Sequence, residues 1–146
     1  MKFPISVRGL LFAVALVILV GCGGQDHPRC FPVRGQVLAG DRPLAEATVL
    51  LHPLFESAPV IPRPIARTDA DGRFEISTFG THDGAPPGEY AITVELRENR
   101  TVGEEVIRDG RNLLPSRYSD ARQSDLRCEV VAGNNDIPPL QLPNVP

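Results

Sequence analysis

The alternation of apolar and polar side chains predicts short β-strands along most of the chain, and residues 89–97 give the clearest example. One face of that stretch would carry Tyr90, Ile92, Val94 and Leu96. A period of two is typical of a strand with one face in the core and the other in solvent. By the same test we predict six more strands, at residues 31–38, 47–54, 65–68, 73–78, 126–131 and 137–142.

Turn-forming residues separate these runs. Asp71-Gly72 lies between two alternating stretches, which is among the stronger sequence signals for a β-hairpin. About seven short strands, with turn signals every eight to twelve residues, are typical of a β-sandwich. We therefore predict an all-β sandwich built around a single core.

Residues 98–125 interrupt the pattern, because no strand or helix period can be found in them. An irregular connection of this length is uncommon in a compact domain and is usually either functional or poorly ordered. Leu113, Leu114 and Tyr118 are apolar positions within it, and we expect them to pack back on the sheets. If the protein has a binding site, this segment is where we expect it.

The amino-acid composition agrees with the predicted fold class. The chain of 146 residues contains 15 prolines and 13 glycines, which favour many turns over long helices. It has no tryptophan and 42% hydrophobic residues, so the core would consist mainly of Val, Leu and Ile side chains. Those side chains suit half-buried strands.

The first 21 residues have the features of a bacterial lipoprotein signal peptide. Lys2 and Arg8 give a basic start, and residues 10–20 form an apolar run too short for a membrane helix, which needs roughly 20 apolar residues. The run ends Leu-Val-Gly-Cys, which resembles a lipobox whose thiol, Cys22, accepts the diacylglycerol. An ordinary signal peptide with an incidental cysteine is the alternative. We predict a signal peptide at 1–21, a tether at 22–30 and the domain at 31–146.

Processing after Gly21 would leave 13 basic and 18 acidic residues, a formal net charge of −5. Nucleic-acid binding depends on basic residues that neutralise phosphates, so we expect no nucleic-acid partner. We expect instead a lipid-anchored protein of the cell envelope. Gly23, in place of the Asp that retains some lipoproteins at the inner membrane, favours the outer membrane.

Two further cysteines, Cys30 and Cys128, could form a disulfide in an oxidising compartment. Closing a loop of about 100 residues would contribute roughly 4 to 5 kcal/mol in the chain-entropy account. Two buried free thiols are the alternative.

Asp69, Asp71 and Asp83 are candidate calcium ligands, since Asp-x-Asp-Gly is also how an EF-hand loop begins. An EF-hand requires a carboxylate at its twelfth position and helices on both sides. Counting from Asp69, that position is Gly80, and strands are predicted on both sides. We therefore favour turn formation as the role of these aspartates, and we predict no metal or other cofactor.

Three motifs together resemble the carboxypeptidase regulatory-like domain. They are V-R-G-Q-V-L-A-G-D-R-P-L-A-E-A-T-V, then R-T-D-A-D-G-R-F-E-I, then P-P-G-E-Y-A-I-T-V. The resemblance implies a transthyretin-like (prealbumin-like) β-sandwich. It also implies no active site, because in carboxypeptidases this domain accompanies the catalytic domain and carries none. We therefore expect a non-enzymatic interaction or structural module whose partner is an envelope protein or glycan. The alternative is a carbohydrate- or peptide-binding module that uses residues 98–125.

Overall fold

The longest strand, β6 (Gly88–Glu95), lies inside a four-stranded sheet. The computed structural model describes residues 27–55 and 62–144. The sheet has the order β4-β3-β6-β9, and all its neighbours are antiparallel. The predicted stripe of Tyr90, Ile92 and Val94 is fully buried in the core, and Leu96 at its end is half-buried. The opposite face was expected in solvent, but Ala91 and Thr93 are 0% and 2% exposed, so the middle of β6 is covered on both sides.

Eleven strands and one short 3-10 helix occur in the described residues. The strands are β1 (Val33–Ala39), β2 (Arg42–Pro43), β3 (Thr48–Pro53), β4 (Ile65–Arg67), β5 (Arg73–Glu75), β6 (Gly88–Glu95), β7 (Arg100–Val102), β8 (Glu105–Ile107), β9 (Arg127–Val130), β10 (Asn135–Asp136) and β11 (Leu140–Leu142). The 3-10 helix is Ser116–Tyr118. Each of the seven predicted strands is present with somewhat different ends. The additional strands are the short β2, β7, β8 and β10.

A second sheet forms around β1. Strands β10 and β11 pair with it in parallel on one side, and β2 and β5 pair antiparallel on the other. The parallel register aligns Val37 with Leu140, which brings the end of the chain beside its first strand. This pairing of distant segments closes the domain.

The inner faces of the two larger sheets contribute to one hydrophobic core. Buried members from the β1 sheet are Val33, Val37, Phe74, Leu140 and Leu142, and those from the β6 sheet are Val49, Leu51, Tyr90, Ile92, Val94 and Val130. The predicted all-β sandwich is therefore confirmed. In the part of the chain that the structure describes, no helix is long and apolar enough to cross a membrane.

The Asp-Gly turn joins the two sheets. Asp69 N–H donates to Arg73 O (2.9 Å), and Ile65 bridges Ser77 in the same antiparallel register, so the predicted hairpin is confirmed at both its ends. Between those points its arms separate, because β4 pairs with β3 and β5 pairs with β1. A single hairpin thus supplies one strand to each sheet.

Thr68, at the start of this turn, is 1% exposed and holds it against the loop before β3. Its hydroxyl accepts a hydrogen bond from Ala47 N–H (2.8 Å) and donates one to Leu44 O (2.7 Å). Its backbone N–H donates to Ala47 O, and its carbonyl accepts from Glu46 N–H. A buried polar group is tolerated when it is paired in this way.

Thr68→Val should lower the free energy of unfolding by about 2 kcal/mol, because it leaves Ala47 N–H and Leu44 O buried without their partner. Thr68→Ser keeps the hydroxyl and loses one methyl group, so its cost should be about 1 kcal/mol. Chemical denaturation followed by circular dichroism measures both. Equal losses for the two variants would show that the hydroxyl contributes nothing beyond packing.

Candidate functional site

The segment at residues 98–125, expected to be irregular, contains a two-stranded hairpin. Strands β7 and β8 pair antiparallel, with Thr101 opposite Val106 and Val102 opposite Glu105. The two-residue turn between them is Gly103-Glu104. Gly103 has a φ of 65°, which fits the first central position of a type II′ turn. Neither strand was predicted, since each is three residues long and neither alternates into a core.

This hairpin projects from the sandwich. All residues from 99 to 106 are exposed, including two large apolar side chains near the turn. Val102 is 54% exposed and Val106 is 61% exposed. An isolated two-stranded hairpin is at best marginally stable in water, so its conformation must be supported at its base.

Backbone contacts continue β6 into the base of the hairpin. Arg97 bridges Asn112, and Leu113 N–H donates to Leu96 O (2.7 Å). The Asn112 side chain accepts a hydrogen bond from Leu96 N–H (3.0 Å). The hairpin is therefore joined to the end of β6. Its register is offset by two residues from that of the base, because Arg97 lies opposite Asn112 whereas Arg100 lies opposite Ile107.

Ion pairs surround this base. Arg108 pairs with Glu46 of the sandwich (2.6 Å), and Arg111 pairs with Glu98 (3.1 Å). Two more pairs join Arg100 to Asp109 and Arg97 to Glu95. Each exposed pair contributes only about 0.2 to 1 kcal/mol, but together they neutralise the four arginines closest to the hairpin.

The tip has a different charge balance. Glu104 and Glu105 are both exposed, and among the described residues no ion pair includes either of them. They stand next to Val102 and Val106. The tip therefore presents two carboxylates and two valines on a hairpin whose arginines are already paired.

A shallow pocket of about 530 Å³ lies where the hairpin meets the sandwich. Its lining residues are Glu46, Leu96, Arg97, Glu98, Asn99, Arg108 and Leu113. The apolar side chains Leu96 and Leu113 are half-buried, and the remaining lining is polar. The pocket has room for a partner's side chain beside the hairpin.

The rest of the segment returns to the core as expected. Leu114 and Tyr118 are 5% and 4% exposed and belong to the hydrophobic core. The Ser124 hydroxyl donates to Ile92 O (2.6 Å), which fixes the approach to β9. Of the apolar positions predicted to pack on the sheets, Leu113 is the least buried.

The candidate calcium ligands hold backbone turns. One Asp69 carboxylate oxygen accepts hydrogen bonds from Asp71 N–H and Arg73 N–H, both at 2.9 Å. The Asp83 carboxylate accepts from Thr78, Phe79 and Gly80 N–H groups in a separate loop. Within residues 27–55 and 62–144 there is no group of three or more His, Cys, Asp or Glu side chains placed to hold a metal ion.

Asp83 is the carboxylate most specifically held. Partial burial alone would raise its pKa, but the hydrogen bonds from the three backbone N–H groups outweigh burial and lower the pKa. The loop therefore favours the ionised carboxylate. Because the folded-state pKa is lowered, this stabilisation exists above the unfolded-state pKa and is lost as the pH falls through the folded-state value.

Asp83→Ala should reduce the free energy of unfolding by about 2 kcal/mol at pH 7, since hydrogen bonds to a charged acceptor are lost. Asp71→Ala is the matched control, because its exposed side chain accepts no hydrogen bond from the residues that the structure describes, and it should change stability by less than about 0.5 kcal/mol. The difference between wild type and Asp83→Ala should shrink below about pH 4. Denaturant titrations between pH 7 and pH 2 would contradict this if the difference were independent of pH.

Two of the three cysteines, Cys30 and Cys128, lie in the part of the chain that the structure describes. Cys22 lies outside the described residues. Cys30 and Cys128 are free thiols, each partly buried, so the predicted bridge is not formed in this structure. Burial raises the pKa of Cys128 to about 11. The pKa of Cys30 is also raised, mainly by burial and to a smaller extent by the negative charge of the Asp83 carboxylate. Both thiols are therefore protonated at neutral pH, which slows their oxidation.

The first described residues, from His27 onward, contact one end of the sandwich. The His27 ring stacks on Phe79, with 4.3 Å between the ring centroids. Phe31 then bridges Ala85, which lies in the connection that leads into the start of β6. The hairpin follows the other end of β6. The chain thus enters the domain and presents the hairpin at opposite ends of the same strand.

Comparison with known proteins gives no assignment. No protein-family model matches the chain, and no curated protein matches it. A crystal structure of a DUF3823 family protein from Parabacteroides merdae has a TM-score of 0.42 at 10% identity, over 81% of this chain and 48% of that one. A crystal structure of a 9R-lipoxygenase from Cyanothece has a TM-score of 0.42 at 19% identity, over 80% and 17%. The chain spans less than half of either protein, and this likeness supports no conclusion about fold or function.

Proposed function

We propose that this protein is an exported, lipid-anchored β-sandwich of the carboxypeptidase regulatory-like type that acts as a non-enzymatic interaction module. Its contact element would be the tip of the β7–β8 hairpin, residues 102–106. The anchor would be Cys22, and the partner would be another component of the cell envelope. The exposed hairpin with its two valines is the observation on which this proposal depends.

The cost of exposing these side chains supports a contact role. Val102 and Val106 gain little from packing in the described structure, since each is more than half exposed. Burying such a side chain fully is worth roughly 1.5 to 3 kcal/mol, which a partner could recover. Single exposed apolar residues are common. Here the register places Val102 on the same face as Glu105 and Val106 on the same face as Thr101, so each face of the projecting hairpin carries one exposed valine.

The placement of the hairpin also supports the proposal. A lipid at Cys22 would hold the His27 end of the domain towards the membrane, and β6 would lead away from it. The hairpin at the far end of β6 would then face away from the lipid surface. Such a tip is accessible to a partner across the envelope space.

The anchor is tested by metabolic labelling with an alkyne analogue of palmitate. Wild type should incorporate the label and Cys22→Ala should not, because the thiol is the acceptor. Cys30→Ala is the control, since it removes a cysteine eight positions away and should keep full labelling. Label in Cys22→Ala, or none in wild type, would refute the lipid anchor.

The contact element is tested by photo-crosslinking in cells. A benzophenone amino acid at Val106 should form a discrete adduct with an envelope component, whereas the same group at Thr81 should not. Thr81 is also exposed but lies in the loop beside the tether. Adducts of equal yield at both positions, or none at Val106, would exclude the hairpin tip as the contact element.

A further inference from the structure

We propose that the outer edge of β8 binds an extended, basic segment of a partner protein by strand addition. This inference rests on the proposed function and specifies the chemistry of the partner. It names one edge of the hairpin, residues 104–107, and one kind of occupant. The reasons are the direction of the backbone groups and the charge of the tip.

The hairpin register determines which backbone groups are free. Because the turn has two residues, Val102 and Glu105 form the hydrogen-bonded pair next to it, and Thr101 and Val106 form the following pair without mutual hydrogen bonds. The N–H and C=O groups of Val106 therefore point away from β7. In the part of the chain that the structure describes, β8 pairs with β7 alone.

An open edge of this kind accepts an additional strand, because main-chain hydrogen bonds supply affinity and alternate side chains supply specificity. Proteins commonly protect such edges with charged side chains (above all lysine), with proline or with a very short strand. Strand β8 carries one charged residue, Glu105. Strand β8 has neither lysine nor proline, and its central residue is the 61% exposed Val106. Its length of three residues limits unspecific pairing, so a specific partner needs a further source of affinity.

Charge provides that source and selects the partner. Arg100 and Arg108, on either side of the tip, are neutralised by Asp109 and Glu46. Glu104 and Glu105 are left to set the local potential at the end of β8. Opposite charges across neighbouring strands are favourable and like charges are unfavourable. An incoming strand with arginine or lysine on either side of a valine or threonine would therefore fit, and an acidic strand would be repelled.

Three synthetic peptides can serve as probes for the purified full-length protein in detergent. The first has the sequence R-V-R-V-T-V-R, and the second has glutamate in place of each arginine. The third repeats the first with N-methyl groups on alternate residues of its backbone, which prevents strand pairing. Fluorescence anisotropy at low ionic strength measures binding, since exposed charge pairs weaken as salt is added.

We expect the arginine peptide to bind at least tenfold more tightly than either of the other two. Val106→Pro removes the outward N–H and should weaken this binding at least tenfold, while the ladder to β7 is kept because proline is tolerated at an outward edge position. Thr101→Pro makes the same change on the β7 edge and should leave binding within about twofold. Glu104→Arg with Glu105→Arg should reverse the preference, so that the glutamate peptide binds more tightly.

Strand addition to β8 is excluded if the N-methylated peptide binds as well as its parent, or if Val106→Pro and Thr101→Pro have equal effects. The charge selection is excluded if the double arginine variant keeps the original preference. Absence of binding by every peptide, together with a photo-adduct at Val106 in cells, would overturn the strand-addition proposal while the proposed function stands. Absence of both would overturn the two together.

Discussion

The buried hydroxyl of Thr68 is the contact on which the two-sheet arrangement most depends. The hairpin from Ile65 to Ser77 sends its first arm to β3 and its second to β1, so its strands cannot complete their pairing with each other. The Thr68 hydroxyl donates to Leu44 O and accepts from Ala47 N–H, which holds the hairpin against the loop before β3. This contact therefore fixes the start of β3 relative to the hairpin that joins the two sheets. The side chains of the core fill the space between those sheets.

Within this two-sheet arrangement, the course of β6 determines where the chain enters the domain and where the hairpin tip lies. The strand is central and buried, with Tyr90 at its start hydrogen-bonded to Pro86 O (2.8 Å). Its far end continues through Leu96 into the hairpin. A rigid strand thus separates the end where the chain enters, near Phe79 and Ala85, from the exposed tip. The position of the tip follows from the packing of the core, and flexible residues are not needed to explain it.

The strands that bury at least one face could be predicted from the sequence, and the strands without a buried residue could not. The alternation at Tyr90, Ile92 and Val94 is imposed by the core, so it is visible in the sequence. Strands β7 and β8 have no buried face, and only the Val-Gly-Glu-Glu-Val stretch, with glycine first in a two-residue turn, could have indicated them. The ion pair between Glu46 and Arg108 joins residues 62 positions apart, and no local pattern specifies such a contact.

The carboxylates of the candidate calcium ligands and those of the hairpin tip differ in the partners that the fold gives them. Asp69 and Asp83 are near glycines and look like ion ligands in sequence, yet one oxygen of Asp69 and both oxygens of Asp83 accept hydrogen bonds from backbone N–H groups. Glu104 and Glu105 belong to no motif, yet they lack an ion-pair partner in the described residues, because the neighbouring arginines pair elsewhere. Charged groups that already accept backbone hydrogen bonds or belong to ion pairs contribute to architecture. Charge that remains at an open strand edge is available for recognition, and only the folded structure separates the two.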